Sequence, residues 1–266
     1  MRQHLHALFT APSVDRWEFA ALTDIGRART NNEDAVGFDE AMGLAVLADG
    51  MGGYQGGEVA SGMAVELVQK CVRAWTHDLP AMPQPRALRR VLQQAVDEAN
   101  LAIYSASRSN TALRGMGTTL VVAAFGTQRV LVGHVGDSRC YRLRDGKIER
   151  LTKDHSVLQE QIDAGNLTPE QAAVSPHRNL VTRAVGVEAR VGLELHEHSA
   201  RPDDLFLLCS DGLTEMISDE HLFTLLSQDI TVEAKTTLLV AIANDNGGRD
   251  NIAVVLAKAL KTSQIP

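Results

Sequence analysis

Cysteine is scarce. Only Cys71, Cys140 and Cys209 occur, scattered and odd in number, with no C-x-x-C pair. They lie within apolar segments and read as buried free thiols in a reducing compartment, which excludes a disulfide framework or a zinc knuckle. No apolar run approaches the ~18 residues of a membrane span. The segment from Met1 to Ser13 lacks the long apolar centre of a secretion signal, so residues 1–16 are expected to be a loose extension of a cytoplasmic protein. There is no internal repeat and no low-complexity tract. Positive charge is also in deficit: 26 Lys and Arg against 33 Asp and Glu leave a net charge of −7, which argues against nucleic-acid or anionic-membrane partners. The glycine-rich run from Gly50 to Gly57 lacks the Gly-Lys-Ser/Thr ending of a phosphate-cradling loop. No His-x-x-x-His pair occurs; His155, His177, His196 and His198 are expected on the surface or on a flap, with His155 alone placed to support a ligand from behind.

What is present is an apolar strand that ends on a charge. Leu44-Ala45-Val46-Leu47-Ala48 runs without interruption into Asp49-Gly50-Met51-Gly52-Gly53. A continuous apolar run marks a strand buried on both faces. A carboxylate at its tip is costly unless a cation meets it. The pattern recurs at Leu205 to Gly212, ending in Asp211-Gly212, and at Val130 to Ser138, ending in Gly136-Asp137-Ser138. Glu33-Asp34 and Asp250-Asn251 precede further short apolar runs. One such Asp is ordinary turn chemistry; several at the ends of core strands predict a shared acidic centre.

At 266 residues the chain fits one domain, expected over 17–258 with a tail over 259–266. Strands are predicted at Trp17 to Leu22, Ala35 to Phe38, Leu44 to Ala48, Thr118 to Phe125, Arg129 to Val135, Cys140 to Leu143, Ile148 to Leu151, Val191 to Leu195, Leu205 to Leu208 and Ile252 to Leu256. Asp145-Gly146 predicts a hairpin turn. One helix should bury Val59, Met63, Leu67 and Cys71; a second, over Ala87 to Ser107, should bury Leu88, Val91, Leu92, Ala95, Ala99 and Ile103. Helices are also predicted over Asp219 to Ser227 and Val232 to Asn244. Residues Ser156 to Asn179 read as short helices in a small mobile insert. Regular βα alternation is absent, which disfavours a doubly wound sheet and favours two packed sheets covered by helices.

Clustered carboxylates and carbonyls suit Mg²⁺, Mn²⁺ or Ca²⁺ rather than zinc. Converging carboxylates can hold two cations ~3.5–4 Å apart, an arrangement that activates water and clamps a phosphoryl group. Arg29, just before Glu33-Asp34, is placed to meet a phosphate with its planar fork.

The ordered set Arg29-Thr30-Asn31-Asn32-Glu33-Asp34, Asp49-Gly50-Met51-Gly52-Gly53, Gly117-Thr118-Thr119, Gly136-Asp137-Ser138-Arg139, Ser210-Asp211-Gly212 and Gly248-Arg249-Asp250-Asn251 resembles the PPM family of metal-dependent, protein phosphatase 2C-like enzymes, in its bacterial branch. The resemblance spans Trp17 to Ala257. It implies an α+β fold, a four-layer α-β-β-α sandwich with a two-metal site at one end. It implies Mn²⁺ or Mg²⁺ as cofactor, with a third, weaker ion. By motif, Asp49 would bridge two ions and the Gly50 carbonyl would bind one of them. Asp211 and Asp250 would complete the other. Asp34, with Glu33 beside it, would act directly or through water. Asp137 would hold the third ion, and Arg29 the substrate phosphate. The insert at 156–179 matches the family's flap. A metal-activated water would hydrolyse phosphoserine and phosphothreonine, opposing a bacterial Ser/Thr kinase. Expected partners are phosphorylated proteins, among them such a kinase and forkhead-associated-domain regulators, and the chain itself is expected to be a monomer. The rival expectations are a phosphoprotein-binding regulator of the same fold and a small-molecule phosphatase. Met51 stands where some members carry a His proposed as general acid, so the source of the leaving-group proton is left unassigned.

Overall fold

A computed structural model describes residues 14–53, 56–76, 85–168, 171, 175 and 180–261. Two antiparallel sheets lie at its centre. The first has the order β1 (Arg16–Asp24), β11 (Ile252–Leu260), β10 (Leu205–Cys209), β7 (Arg139–Arg144), β8 (Lys147–Arg150). The second has the order β2 (Asp34–Asp39), β3 (Leu44–Met51), β5 (Leu120–Phe125), β6 (Arg129–Val135), β9 (Glu194–Ser199), with the short β4 (Gly117–Thr118) also paired to β3. Asp145 and Gly146 both take positive φ, 49° and 69°, and close the β7–β8 hairpin as expected.

The uninterrupted apolar strands follow from the layering. In β3, Ala45 and Leu47 point into an inter-sheet core with Trp17, Phe125, Phe206 and Val255. Leu44, Val46 and Ala48 point the other way, onto α1 (Gly56–Thr76) and α2 (Pro85–Ser109). In β10, Phe206 and Leu208 face inward, while Leu205, Leu207 and Cys209 meet α4 (Asp211–Thr214), α5 (Asp219–Leu226) and α6 (Val232–Asp245). Each central strand is therefore covered on both faces, and the result is the four-layer α-β-β-α sandwich.

Three expectations need correction. The buried face of α1 is Ala60, Ala64, Val68 and Val72, and Val59, Met63, Leu67 and Cys71 are only half-buried. Periodicity alone cannot tell neighbouring stripes apart, and the small alanines let the helix lie close on the sheet. The strand expected at Val191 to Leu195 begins instead at Glu194 and runs to Ser199, pairing with β6 as an edge strand of mixed polarity. β1 starts at Arg16 and runs to Asp24, and β11 continues to Leu260, so both strands are longer than expected. In the expected flap, α3 (Val157–Asp163) is present, capped by the Ser156 hydroxyl, which accepts from the Gln159 amide at 3.3 Å. Residues 169–170, 172–174 and 176–179, including Pro169, Pro176 and His177, lie outside the described residues.

Candidate metal centre

The centre forms where β2, β3, β10 and β11 end on the same rim of the sandwich. Antiparallel pairing sets Asp34 directly opposite Asp49. Thr119 fixes the tip of β3: its hydroxyl accepts from the Asp49 amide at 3.0 Å, and its amide donates to the Asp49 carbonyl at 2.8 Å. The Thr118 hydroxyl also donates to that carbonyl, at 2.9 Å. The motif Gly117-Thr118-Thr119 is thus a backbone clamp that aims Asp49. Ser210 ties the two sheets together, donating to Asp34 Oδ2 at 2.8 Å and accepting from the Ala253 amide at 2.9 Å. Asp211 opens α4 immediately after it.

Close approach explains two of the glycines. A Cβ on Gly212 would lie 1.9 Å from the Asn251 carbonyl oxygen, and one on Gly50 would lie 2.1 Å from the Gly57 carbonyl oxygen. Both hold acidic segments against the neighbouring backbone.

The carboxylates perturb one another. Burial raises the Asp34 carboxyl to about 7, against a hydrogen bond from Ser210 and with added repulsion from Asp250. Burial, then Asp34, Asp211, Asp137 and Asp250, push Asp49 well above the ordinary range. Asp211 rises for the same reason, with burial first and Asp137 and Asp250 next. Asp137, only 8% exposed, is raised to about 6 by burial and by Asp154. Glu33 is raised by burial, partly offset by Arg29. Such mutual repulsion requires compensation by protons or cations. Asp34 Oδ1 is buried with no hydrogen-bond partner, an acceptor left open. An all-oxygen donor set with an unsatisfied buried oxygen fits a hard divalent cation.

Arg29 reaches the centre: its Nη2 lies 2.6 Å from Asp250 Oδ2, and its side chain stays about half exposed. Asn251 is a residue whose role sequence reading missed. Its Oδ1 accepts from the Glu33 amide at 2.8 Å, and its Nδ2 donates to the carbonyls of Ile25 at 3.0 Å and Asn31 at 2.9 Å. It fastens the Arg29–Asp34 segment beside Asp250. The only sequence signal was its position after Asp250.

His155 supports the Gly136-Asp137 turn from behind, as expected. His155 is buried and stacks on His134, with ring centroids 4.6 Å apart and planes at 16°. The Gly136 amide donates to His155 Nδ1 at 3.1 Å, and the His155 amide donates to the Gly136 carbonyl at 2.9 Å. With Nδ1 accepting, Nε2 carries the proton and faces Glu194 Oε2 at 3.3 Å. His196, expected on the surface, is exposed and meets the other oxygen of Glu194 at 2.9 Å. Burial alone would raise Glu194, but the hydrogen bonds from His196 and His155 bring it down to about 2. His134, His155 and Glu194 bring one potential ligand atom each within 4.8 Å of one another. Because the rings stack and His155 Nδ1 is already used, they act as a brace behind Gly136-Asp137. His198 is half-buried on β9, not a free surface group.

Comparison with known proteins bears directly on this geometry. The family model described as Protein phosphatase 2C matches residues 26–256. The chain belongs to the protein phosphatase 2C family. The serine/threonine phosphatase Stp of Listeria monocytogenes serotype 4b (strain F2365) is 38% identical over 239 residues, covering 89% of this chain and 93% of that protein. The crystal structure of the Mycobacterium tuberculosis serine/threonine phosphatase PstP/Ppp superposes with a TM-score of 0.84 at 37% identity, covering 92% of this chain and 100% of that one. The catalytic domain of the serine/threonine protein phosphatase PstP, crystallised with two manganese ions, superposes with a TM-score of 0.82 at 36% identity, covering 92% of this chain and 99% of that one. Arg29, Glu33, Asp34, Asp49, Asp211 and Asp250 act on one another's charge at one end of the sandwich, the Gly50 amide donates to the Glu33 carbonyl there at 3.0 Å, and Asp137 repels Asp211.

Proposed function

We infer that the acidic centre hydrolyses phosphoserine and phosphothreonine in proteins, as a phosphatase that opposes a serine/threonine kinase. The chain is a protein phosphatase 2C-type enzyme with Mn²⁺ or Mg²⁺ as cofactor. The observation that carries the site assignment is geometric: Asp34 sits directly opposite Asp49, with its Oδ1 buried and without a hydrogen-bond partner, and burial raises Asp34, Asp49 and Asp211 together. Asp49, the Gly50 carbonyl, Asp211 and Asp250 are the residues that would hold two ions, with Glu33 and Asp34 supporting them and Asp137 serving a third. When bound, such ions lower the pKa of water and offset phosphoryl charge. The chain's own residues do the rest. Thr118 and Thr119 orient Asp49. Ser210 orients Asp34. Arg29 exchanges its Asp250 contact for the phosphate oxygens of a substrate, holding the phosphoryl group over the centre. The complete donor set favours turnover over a purely phosphoprotein-binding role.

Phosphorylated proteins are the partners this reading assigns, a serine/threonine kinase and forkhead-associated-domain regulators among them, in the cytoplasm. No helix among the described residues is long and apolar enough to cross a membrane. The test is hydrolysis of a phosphothreonine peptide by purified protein in EDTA, Mg²⁺ or Mn²⁺. Turnover restored by either ion and abolished in Asp211→Asn is expected. Metal-independent turnover, or full activity in that variant, overturns the assignment. Equal or better rates on nucleotides would point to small esters instead.

A further inference from the structure

Beside the acidic centre lies a groove whose outer wall is basic, in a protein that is otherwise acidic. Its inner part is a cavity of about 870 Å³ bounded by Thr30 and Asn31, which follow Arg29, by Gly53 and Glu58, and by Arg114 across from them. Arg114 also lines a second, narrower cavity of about 340 Å³, which continues past Tyr104, Arg108 and Val187. Arg114 lines both cavities, so the two adjoin there, and together they are read as one path leading away from the Arg29 segment.

The walls of this path are built. A single 3-10 turn, Thr111–Leu113, carries Arg114, and the Asn110 carboxamide caps it by accepting from the Ala112 amide at 3.0 Å. The Ser107 hydroxyl accepts from the Gly115 amide at 3.0 Å and ties the turn back to α2. On the far side, Asn100 is buried, accepts from the Gly186 amide at 2.7 Å and donates to the Glu188 carbonyl at 3.0 Å, which holds Val187 in place. Val187 is 53% exposed, an apolar side chain left open on the path.

Neither arginine has a carboxylate partner among the described residues. Arg108 lies over the Tyr104 ring, 5.7 Å from its centroid. Its place in the last turn of α2 suits the helix dipole. Arg114 lies beyond the helix, where the dipole offers no such explanation. Glu58, the acidic residue of the inner cavity, is engaged by Asn31 at 3.2 Å. Two guanidinium groups without a carboxylate partner among the described residues, flanking a path with an apolar side chain, are complementary to an extended peptide that carries an anionic side chain.

We propose that this groove binds the substrate segment flanking the phosphoresidue, and that Arg114 with Arg108 selects segments bearing an acidic or second phosphorylated residue. The proposal rests on the phosphatase reading and adds to it a substrate class. The arginines also have an electrostatic purpose: an acidic segment approaching the carboxylate centre is otherwise repelled.

The experiment compares phosphothreonine peptides of one length in which a flanking position, scanned on either side, is Ala, Lys, Glu or phosphoserine. kcat/KM is measured with Mn²⁺ for the full chain, for Arg108→Ala/Arg114→Ala and for Arg108→Glu/Arg114→Glu. The native chain should favour the best Glu or phosphoserine peptide over the Ala peptide by about five- to tenfold, as expected for one or two partly exposed ion pairs. That ratio should fall to about one in the double-Ala variant and invert towards the Lys peptide in the double-Glu variant, and added salt should erode it. The Glu and phosphoserine arms separate carboxylate from phosphate selection. Equal rates on all peptides, or a preference kept by the double-Ala variant, overturn the proposal. If no peptide is hydrolysed with any metal, it is the phosphatase reading that fails. Fluorescence anisotropy of the same peptides with EDTA-treated protein then decides on the groove: tighter binding of the anionic peptides, lost in the double-Ala variant, supports it, and indifference to peptide charge overturns it.

Discussion

Replacing Asp49 or Asp211 by Asn removes one charge from a set of mutually repelling carboxylates. Turnover dependent on Mn²⁺ should disappear, yet the metal-free variant should melt no lower than the native chain, because repulsion is relieved. Thermal melts with and without Mn²⁺ check this: the native chain should gain stability from the ion, and the variants should lose that gain. Asp34 sets a pH dependence of known sign. Its folded value, about 7, lies above the unfolded 3.8, so its contribution is complete below the unfolded value and is lost as pH climbs through the folded one. His134 and His155, lowered by burial, act in the opposite sense and lose their contribution as pH falls. The Asp34→Asn variant isolates the first effect. In EDTA, the stability of the native chain relative to this variant should decline as pH rises from about 4 to about 7; a flat difference would show that the Asp34 carboxyl is not raised by folding. At this scale the acidic residues were legible because each borders an apolar run, after it at Asp49, Asp137 and Asp211 and before it at Glu33-Asp34 and Asp250. Asn251 was not, and neither were the contacts through which His155 gives its expected support, since these depend on the Ile25–Glu33 backbone and on Gly136, distant in sequence.

Among the elements, the loop between β1 and β2 depends on β11 more than on itself. Asn251 supplies three hydrogen bonds to it and is largely buried. Asn251→Ala should cost about 2–3 kcal/mol in urea unfolding and raise the Mn²⁺ concentration needed for half-maximal turnover, because the Arg29–Asp34 segment loses its anchor. An unchanged midpoint and an unchanged metal requirement would reassign the anchor to the Gly248 carbonyl, which accepts from the Arg27 amide at 2.6 Å and the Ala28 amide at 3.2 Å. Helix existence and length were readable from periodicity, and α2 buries the residues its pattern indicates. The face of α1 was not, because two adjacent stripes at the same spacing were both apolar and only contact with β3 and α2 chooses between them. Strand β9 was misplaced for a related reason. An edge strand with one exposed face has little apolar signal, and its pairing with β6 defines it.

For the whole molecule, the inter-sheet layer is the common foundation. Trp17, Phe125 and Phe206 meet there with ring centroids 4.7–5.7 Å apart, joining strands from both sheets. Phe206→Ala should destabilise the chain by about 3–5 kcal/mol. Melting followed by near-ultraviolet circular dichroism and by loss of turnover should coincide, since the centre draws on both sheets; a centre lost well before the fold would contradict that dependence. The amino-acid sequence alone determined the acidic, all-oxygen character of the centre, the family resemblance, the sandwich of two sheets under helices and most of the elements, because these rest on residue type and local spacing. Only the tertiary structure decided which carboxylates face one another, which side of α1 is buried, the order of strands in each sheet, the brace behind Asp137 and the groove lined by Arg108 and Arg114. Those depend on contacts between residues far apart in the chain, and no local pattern encodes such contacts.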